Sequence, residues 1–327
     1  MRIATWNVNS LKARLERVSG WLVRARPDVL LMQETKLADA DVPTDLFRNA
    51  GYEIAHHGEG RWNGVAIVTR VGIADVVTNF GEPLRAAKTE DVGDDEPLAE
   101  ARMISASCGG VRFVCVYAPN GRTVGSIFYD AKLVWFDRLA RWLETAAKPD
   151  EPLVLGGDLN VAPADIDVWD PAACHGGTHV SGPERKAFVR LLEWGFVDVY
   201  RQQHPEPERY TWWDYRAGNF HKNYGMRIDH LLVSPPVATR VVWSEIDRET
   251  RKGKPTPSTT QRSGKTARSG APASRRRSPA RATAFTSRPA PGTGRSPRTG
   301  STASRAQGWT GSSPSTRARR TSRASAR

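Results

Sequence analysis

The stretch PLVLGGDLNVAP (Pro152–Pro163) runs a short apolar segment into a glycine pair, then an aspartate and an asparagine. Pro152–Leu155 reads as a strand. Gly156–Gly157 permits a close backbone approach or a sharp turn. Residues two apart on an extended segment face the same way, so Asp158 and Asn160 are expected to meet one ligand.

The same grammar recurs outward along the chain. Arg2–Trp6 reads as a strand ending at Asn7, and Val29–Gln33 as one ending at Glu34. Arg112–Tyr117 leads to Asn120, and Asp229 with His230 opens the strand Ile228–Val233. Val65–Thr69, Ile73–Thr78, Met103–Ser107 and Val237–Glu245 complete the expected strands, and Glu82–Glu100 reads as a polar loop. Helices are expected from about Ser10, an N-cap, with Leu11, Leu15, Val18 and Leu22 on one face, over Ile127–Thr145 and over Pro183–Trp194. Alternating strands and helices predict an α/β fold, a four-layer sandwich of two packed mixed sheets flanked by helices.

A single carboxylate at a strand end is usually a cap or a turn former. Glu34, Asp158 and Asp229 at three such ends form an oxygen-rich set that suits Mg²⁺ or Mn²⁺ and not zinc. Like charges gathered there repel unless a cation lies between them.

The 327-residue chain carries a formal charge of +13, but unevenly. Thr259–Arg327 holds 16 Lys and Arg and no Asp or Glu, leaving 32 basic against 35 acidic residues before it. The basic character therefore belongs to the tail. That tail has no Val, Ile, Leu or Met, only Phe285 and Trp309 as large apolar residues, and is expected to be disordered. Two domains result: a globular one over 1–258 and a tail over 259–327. Cys108, Cys115 and Cys174 form no CxxC pair and read as buried thiols of a reducing compartment. No apolar stretch reaches membrane-spanning length and no leader opens the chain, so a cytoplasmic protein without a membrane partner is expected.

Around the strand ends lie aromatic and basic loops. Trp212 and Phe220 are candidates to wedge into or stack on DNA, with Arg216, His221, Lys222 and Arg227 on phosphates. Asn120 and Arg122 are further DNA-binding candidates. Cys174, His175 and His179 in CHGGTHV have a metal-like spacing, although loop packing explains them better.

Six ordered segments, ATWNVNSLKAR, LLMQETKL, GVAIVTR, VYAPNGR, GGDLNVAP and GMRIDHLLVS, resemble the exonuclease III branch of the endonuclease/exonuclease/phosphatase superfamily. The resemblance implies a DNA-repair nuclease acting on double-stranded DNA. It would remove nucleotides from 3′ ends, cut 5′ of abasic sites and clear 3′ blocking groups, as a monomer. It implies metal binding by Glu34 and Asn7, with Asp158 and Asn160 beside them. Tyr117 would contact the scissile phosphate and Asp158 would orient or deprotonate water. Asn160 would bind phosphate, Asp229 would support an active-site histidine, and Trp212 would wedge beside the damaged nucleotide.

The resemblance breaks after GKPTPS (Gly253–Ser258), where the family continues with Asp-His and a closing strand. Here Thr259-Thr260-Gln261 follows. Loss of one G from GAC CAC GCA, followed by a G, yields Thr-Thr-Gln. The tail thus reads as a frameshift product, the closing strand as missing and the enzyme as impaired. The competing readings are a non-catalytic DNA-binding protein with an Arg-rich tether, and a phosphatase of small phosphoesters.

Overall fold

Val29–Gln33 is buried at every position because it feeds two cores at once. Val29 and Leu31 point into one cluster, Leu30 and Met32 into another. The period of two along a strand divides the run between the faces of its sheet. The computed structural model describes residues 1–81, 100–215, 217–248 and the backbone of 284–287. The expected loop at Glu82–Glu100 lies almost wholly outside the described residues.

Numbered along the chain, the first strands are β1 (Arg2–Asn7), β2 (Val29–Gln33), β3 (Glu53–His57), β4 (Val65–Thr69) and β5 (Ala74–Thr78). There follow β6 (Met103–Cys108), β7 (Val111–Tyr117), β8 (Leu153–Asp158), β9 (Val197–Asp198), β10 (Trp212–Trp213), β11 (Gly225–Met226), β12 (Asp229–Val233), β13 (Val241–Glu245) and β14 (Ala284–Ser287). One six-stranded sheet has the order β13-β14-β1-β2-β4-β3, the other β5-β6-β7-β8-β12-β9. Between them lies a core that joins Ile3, Leu31 and Ile67 to Phe113, Val154 and Leu231. Helix α1 (Leu11–Ala25) covers the outer face of the first sheet with Leu11, Val18, Trp21 and Leu22. Two more helices, Ile127–Ala146 and Gly182–Glu193, cover the second with Trp135, Phe136, Leu139 and Phe188. The four layers match the expectation. Capping is local and polar: Ser10 accepts from the Ala13 amide, and Ser181 with Glu184 forms a capping box.

Gly156 and Gly157 are required by this packing. A Cβ on Gly156 would meet Leu231 Cδ2 at 2.6 Å and Leu31 Cδ1 at 2.7 Å, one from each sheet. At Gly157, with φ 152°, it would lie 1.9 Å from the Val116 carbonyl oxygen.

Two expectations are corrected. Val237–Glu245 is not one strand, because Pro235 and Pro236 preset a short helix, Pro235–Ala238, before β13 begins. Part of the expected tail is also a strand: β14 pairs antiparallel with both β1 and β13. Backbone pairing needs only N–H and C=O groups, so it demands no particular side-chain pattern. The chain divides into units Met1–Pro289 and Ala290–Arg327, so the first runs past the expected boundary at Ser258. The second lies outside the described residues.

Candidate active site

The topology brings polar strand ends together. β1 and β2 run parallel and deliver Asn7 and Glu34 to the same edge of the first sheet. β7 and β8 run parallel with Tyr117 opposite Asp158, and antiparallel β12 places Asp229 opposite Asp158. Two carboxylates in direct register are unfavourable for a sheet, and nothing in the packing requires them there.

Asn7 joins the sheets. Its Nδ2 donates to Glu34 Oε1 at 2.8 Å and to Asp158 Oδ2 at 2.8 Å, while its Oδ1 accepts from the Asn9 amide. Glu34 Oε2 pairs with Lys36 Nζ at 2.9 Å. Burial, with the charges of Asp229 and Glu34, raises the Asp158 carboxyl well above the usual carboxylate range; hydrogen bonds from Asn7 and the Asn160 amide act against this. Tyr117 is held protonated by burial and by Glu34, which accepts from its hydroxyl, with the Arg102 guanidinium 4.8 Å over its ring.

Asn160 departs from the extended geometry expected of it. Its φ is 52°, and its amide folds back to Asp158 Oδ1 at 2.9 Å. A short Asx-type link replaces the expected side-by-side strand positions. Its side chain donates to Ala118 O at 2.9 Å and accepts from Asn120 Nδ2 at 3.4 Å. Its carbonyl accepts from Lys132 Nζ at 2.7 Å and meets His179 Nδ1 at 2.6 Å. Lys132 is fully buried and paired with the equally buried Glu184. This left-handed non-glycine turn persists because every polar group of Asn160 is engaged.

These residues line a cleft of about 340 Å³ with Trp6, Arg14, Arg17, His179, Trp212 and Phe220. The structure thus brings together Asn7, Glu34, Tyr117, Asn120, Asp158, Asn160, Trp212, Phe220 and Asp229. Arg122 is exposed and stacks 3.4 Å over Phe128; His221 and Lys222 are exposed on a turn outside the cleft. Arg216 lies outside the described residues. Arg227 is a correction: it is 1% exposed, and its guanidinium pairs with Asp167 at 2.6 Å and Asp198 at 2.8 Å. It stabilises the fold beneath the site and cannot reach a phosphate. The CHGGTHV residues do not converge on an ion: Cys174 and His175 line a neighbouring hollow, while His179 is committed to Asn160.

Arg14 and Arg17 went unnoticed in the sequence, whereas His179 stood out there only through the CHGGTHV spacing. Arg14 and Arg17 are three apart on α1, which is the available signal, but only the packing of α1 on its sheet turns them to the cleft.

Chemically the donor set fits a hard divalent cation, since Glu34, Asp158 and Asp229 are hard oxygens whose mutual repulsion a cation relieves. Among the described residues no three His, Cys, Asp or Glu close a cage by themselves. A divalent ion held here by Glu34 and its neighbours would need further oxygens from water or substrate.

Comparison with known proteins agrees with this geometry. The model of the endonuclease/exonuclease/phosphatase family matches residues 4–301. An exodeoxyribonuclease of Bacillus subtilis is 33% identical over 248 residues, covering 74% of this chain and 91% of that protein. The DNA repair nuclease APEX1 of Danio rerio is 31% identical over 260 residues, covering 77% and 79%. Among solved structures, an AP endonuclease from Archaeoglobus fulgidus superposes with a TM-score of 0.71 at 32% identity, covering 87% of this chain and 97% of that one. The 3′ phosphatase NExo from Neisseria, bound to a product DNA hairpin, gives 0.70 at 35% identity, covering 88% and 98%. The chain belongs to the endonuclease/exonuclease/phosphatase family, in the branch of exodeoxyribonuclease III and the AP endonucleases.

Proposed function

We propose that the chain hydrolyses phosphodiester bonds of double-stranded DNA, as a 3′–5′ exodeoxyribonuclease that also cuts at abasic sites and cleans 3′ ends. The observation that carries this is the meeting of Glu34 and Asp158 on the Asn7 amide, with Asp229 opposite Asp158, in one aromatic-walled cleft. The names of its relatives point the same way. Asp158, beside the cleft and hydrogen-bonded to Asn7, accepts the proton of the attacking water. Tyr117, on giving up its hydrogen bond to Glu34, and the second N–H of the Asn120 and Asn160 amides donate to the phosphate without adding negative charge. Trp212 and Phe220 pack against the nucleotide beside the cut.

The family is metal-dependent. Mg²⁺, or Mn²⁺, held by Glu34 with Asn7, Asp158 and Asn160 nearby, supplies charge neutralisation on the phosphate when bound. The ion would engage Asn7 through Oδ1, which now accepts from Asn9. The protein acts as a monomer in the cytoplasm, where its three unpaired cysteines stay reduced.

Thr259-Thr260 stands where the family's Asp-His pair is expected, and both residues lie outside the described part of the chain. Loss of a histidine that polarises the phosphate lowers the rate by about 10²–10⁴. Activity is measured on a duplex with an abasic site, a 3′-phosphate end and an inositol phosphate. The variant Thr259→Asp/Thr260→His is compared with the parent. Cleavage of the DNA substrates, faster in the variant, is expected. Hydrolysis of the inositol phosphate alone would establish the small-phosphoester reading, and equal DNA cleavage by the two proteins would refute the impairment.

A further inference from the structure

Next to Glu34 in the chain, at Thr35, lies a second polar constellation. Thr35 Oγ1 is 2.7 Å from His56 Nε2, and His56 Nδ1 is 2.6 Å from Asp39 Oδ1. Asp39 Oδ1 also accepts from the Gly58 amide at 2.9 Å. A carboxylate can only accept, so His56 donates from Nδ1. In neutral His56 the other nitrogen is then an acceptor, and the Thr35 hydroxyl donates to it. Burial favours this neutral ring. The order hydroxyl, imidazole, carboxylate resembles a nucleophilic triad, but Thr35 is completely buried and no substrate reaches its oxygen.

The constellation faces a strained turn. Glu34 and Lys36, on either side of Thr35, have φ of 53° and 52°, left-handed values unusual for residues with a Cβ. The turn is held from both sides by the backbone: Ser10 and Leu11 donate to the carbonyls of Glu34 and Thr35, while Thr35 and Lys36 donate to those of Gly64 and Asn63. Two glycines make room for the side chains. A Cβ on Gly64 would fall 2.1 Å from Thr35 Oγ1, and one on Gly58 would fall 2.4 Å from His56 Cε1. The hydroxyl is therefore caged between the Gly64 backbone and the imidazole.

We propose that Thr35, His56 and Asp39 form a positioning relay that fixes the turn carrying Glu34, and so sets how tightly the site holds a divalent cation. His56 and Asp39 act through Thr35 and touch neither ion nor DNA. The proposal rests on the reading of Glu34 as a metal ligand, and its test separates the two.

Mn²⁺ binding to the full chain without DNA, followed by electron paramagnetic resonance, reads the site without turnover. Glu34→Gln is expected to weaken binding at least tenfold; if parent and Glu34→Gln bind alike, the metal reading fails and the proposal falls with it. Thr35→Val/His56→Phe replaces both polar partners with apolar groups, an exchange that can leave stability nearly unchanged. It is expected to weaken Mn²⁺ binding about fivefold or more, whereas Thr35→Ser, which keeps the hydroxyl, restores parental binding. A folded double variant that binds Mn²⁺ like the parent overturns the proposal. If the double variant does not fold, Asp39→Asn decides, since Asp39 is half exposed. Weakening of about threefold supports the relay, and unchanged binding overturns it.

Discussion

Asp158 is the residue on which the site turns, because it accepts from Asn7 of the first sheet and lies opposite Tyr117 and Asp229 in the second. Asp158→Asn keeps the shape and removes the proton acceptor, so cleavage should fall about 10²–10⁴-fold while a gel-shift assay shows DNA still bound. Arg227 works in the opposite direction, holding two buried carboxylates apart. Arg227→Met should cost about 3–5 kcal/mol in urea melts, since Asp198 then loses its guanidinium partner and Asp167 keeps only Arg201. His230, between them and the core, adds a pH dependence. Arg227 Nη1 donates to its Nδ1 at 3.0 Å, so its Nε2 donates to Val161 O. A proton on Nδ1 would displace that bond and face the guanidinium, and burial with Arg227 depresses the pKa from 6.5 to about 4. The unfolded chain takes the proton first. His230 therefore costs nothing above about pH 6.5, and stability falls as pH drops from there towards 4, by roughly 3 kcal/mol in all. His230→Asn should flatten that part of the stability curve. The carboxylates of the site were legible because apolar runs stop at them. Arg227 was not, since a cation in GMRIDH looks solvated until Asp167 and Asp198 arrive from distant parts of the chain.

At the scale of elements, the strands were legible wherever side chains carry the pattern, as in Val29–Gln33 and Val65–Thr69, which match residue for residue. The pattern fails where the backbone decides. Pro235-Pro236 starts a helical turn inside an apolar stretch, and β14 is recruited by open hydrogen-bonding edges on β1 and β13. The left-handed turns at Glu34 and Asn160 are equally silent, because their causes are contacts with other loops. Gly157 tests the sheet directly. Gly157→Ala should cost about 3 kcal/mol or more, because its Cβ collides with the backbone of β7 and not with a side chain that can move. β14 has its own test: a chain ending at Ser258 should melt several degrees lower and exchange the amides of Arg2–Ala4 faster. Identical melting would remove β14 from the stable fold.

Across the whole molecule, charge and chemistry are separated. Residues before Thr259 are slightly acidic overall, so attraction to DNA in that part would rest on local groups such as Arg14 and Arg17 at the cleft, and an Arg-rich tail that binds DNA would add affinity without selectivity. A chain ending at Pro289 retains β14 and loses eight arginines. Its DNA affinity should depend less steeply on salt, with preference for an abasic over an intact duplex unchanged in a competition assay. The central claim is that the three carboxylates and Asn7 form a metal-assisted phosphodiesterase centre. The most direct measurement is single-turnover cleavage of an abasic-site duplex, titrated with Mg²⁺, for the parent, Glu34→Gln and Asp158→Asn. Cleavage that rises with Mg²⁺ in the parent and drops at least a hundredfold in both variants is predicted; cleavage that survives either substitution, or ignores the metal, would contradict the account.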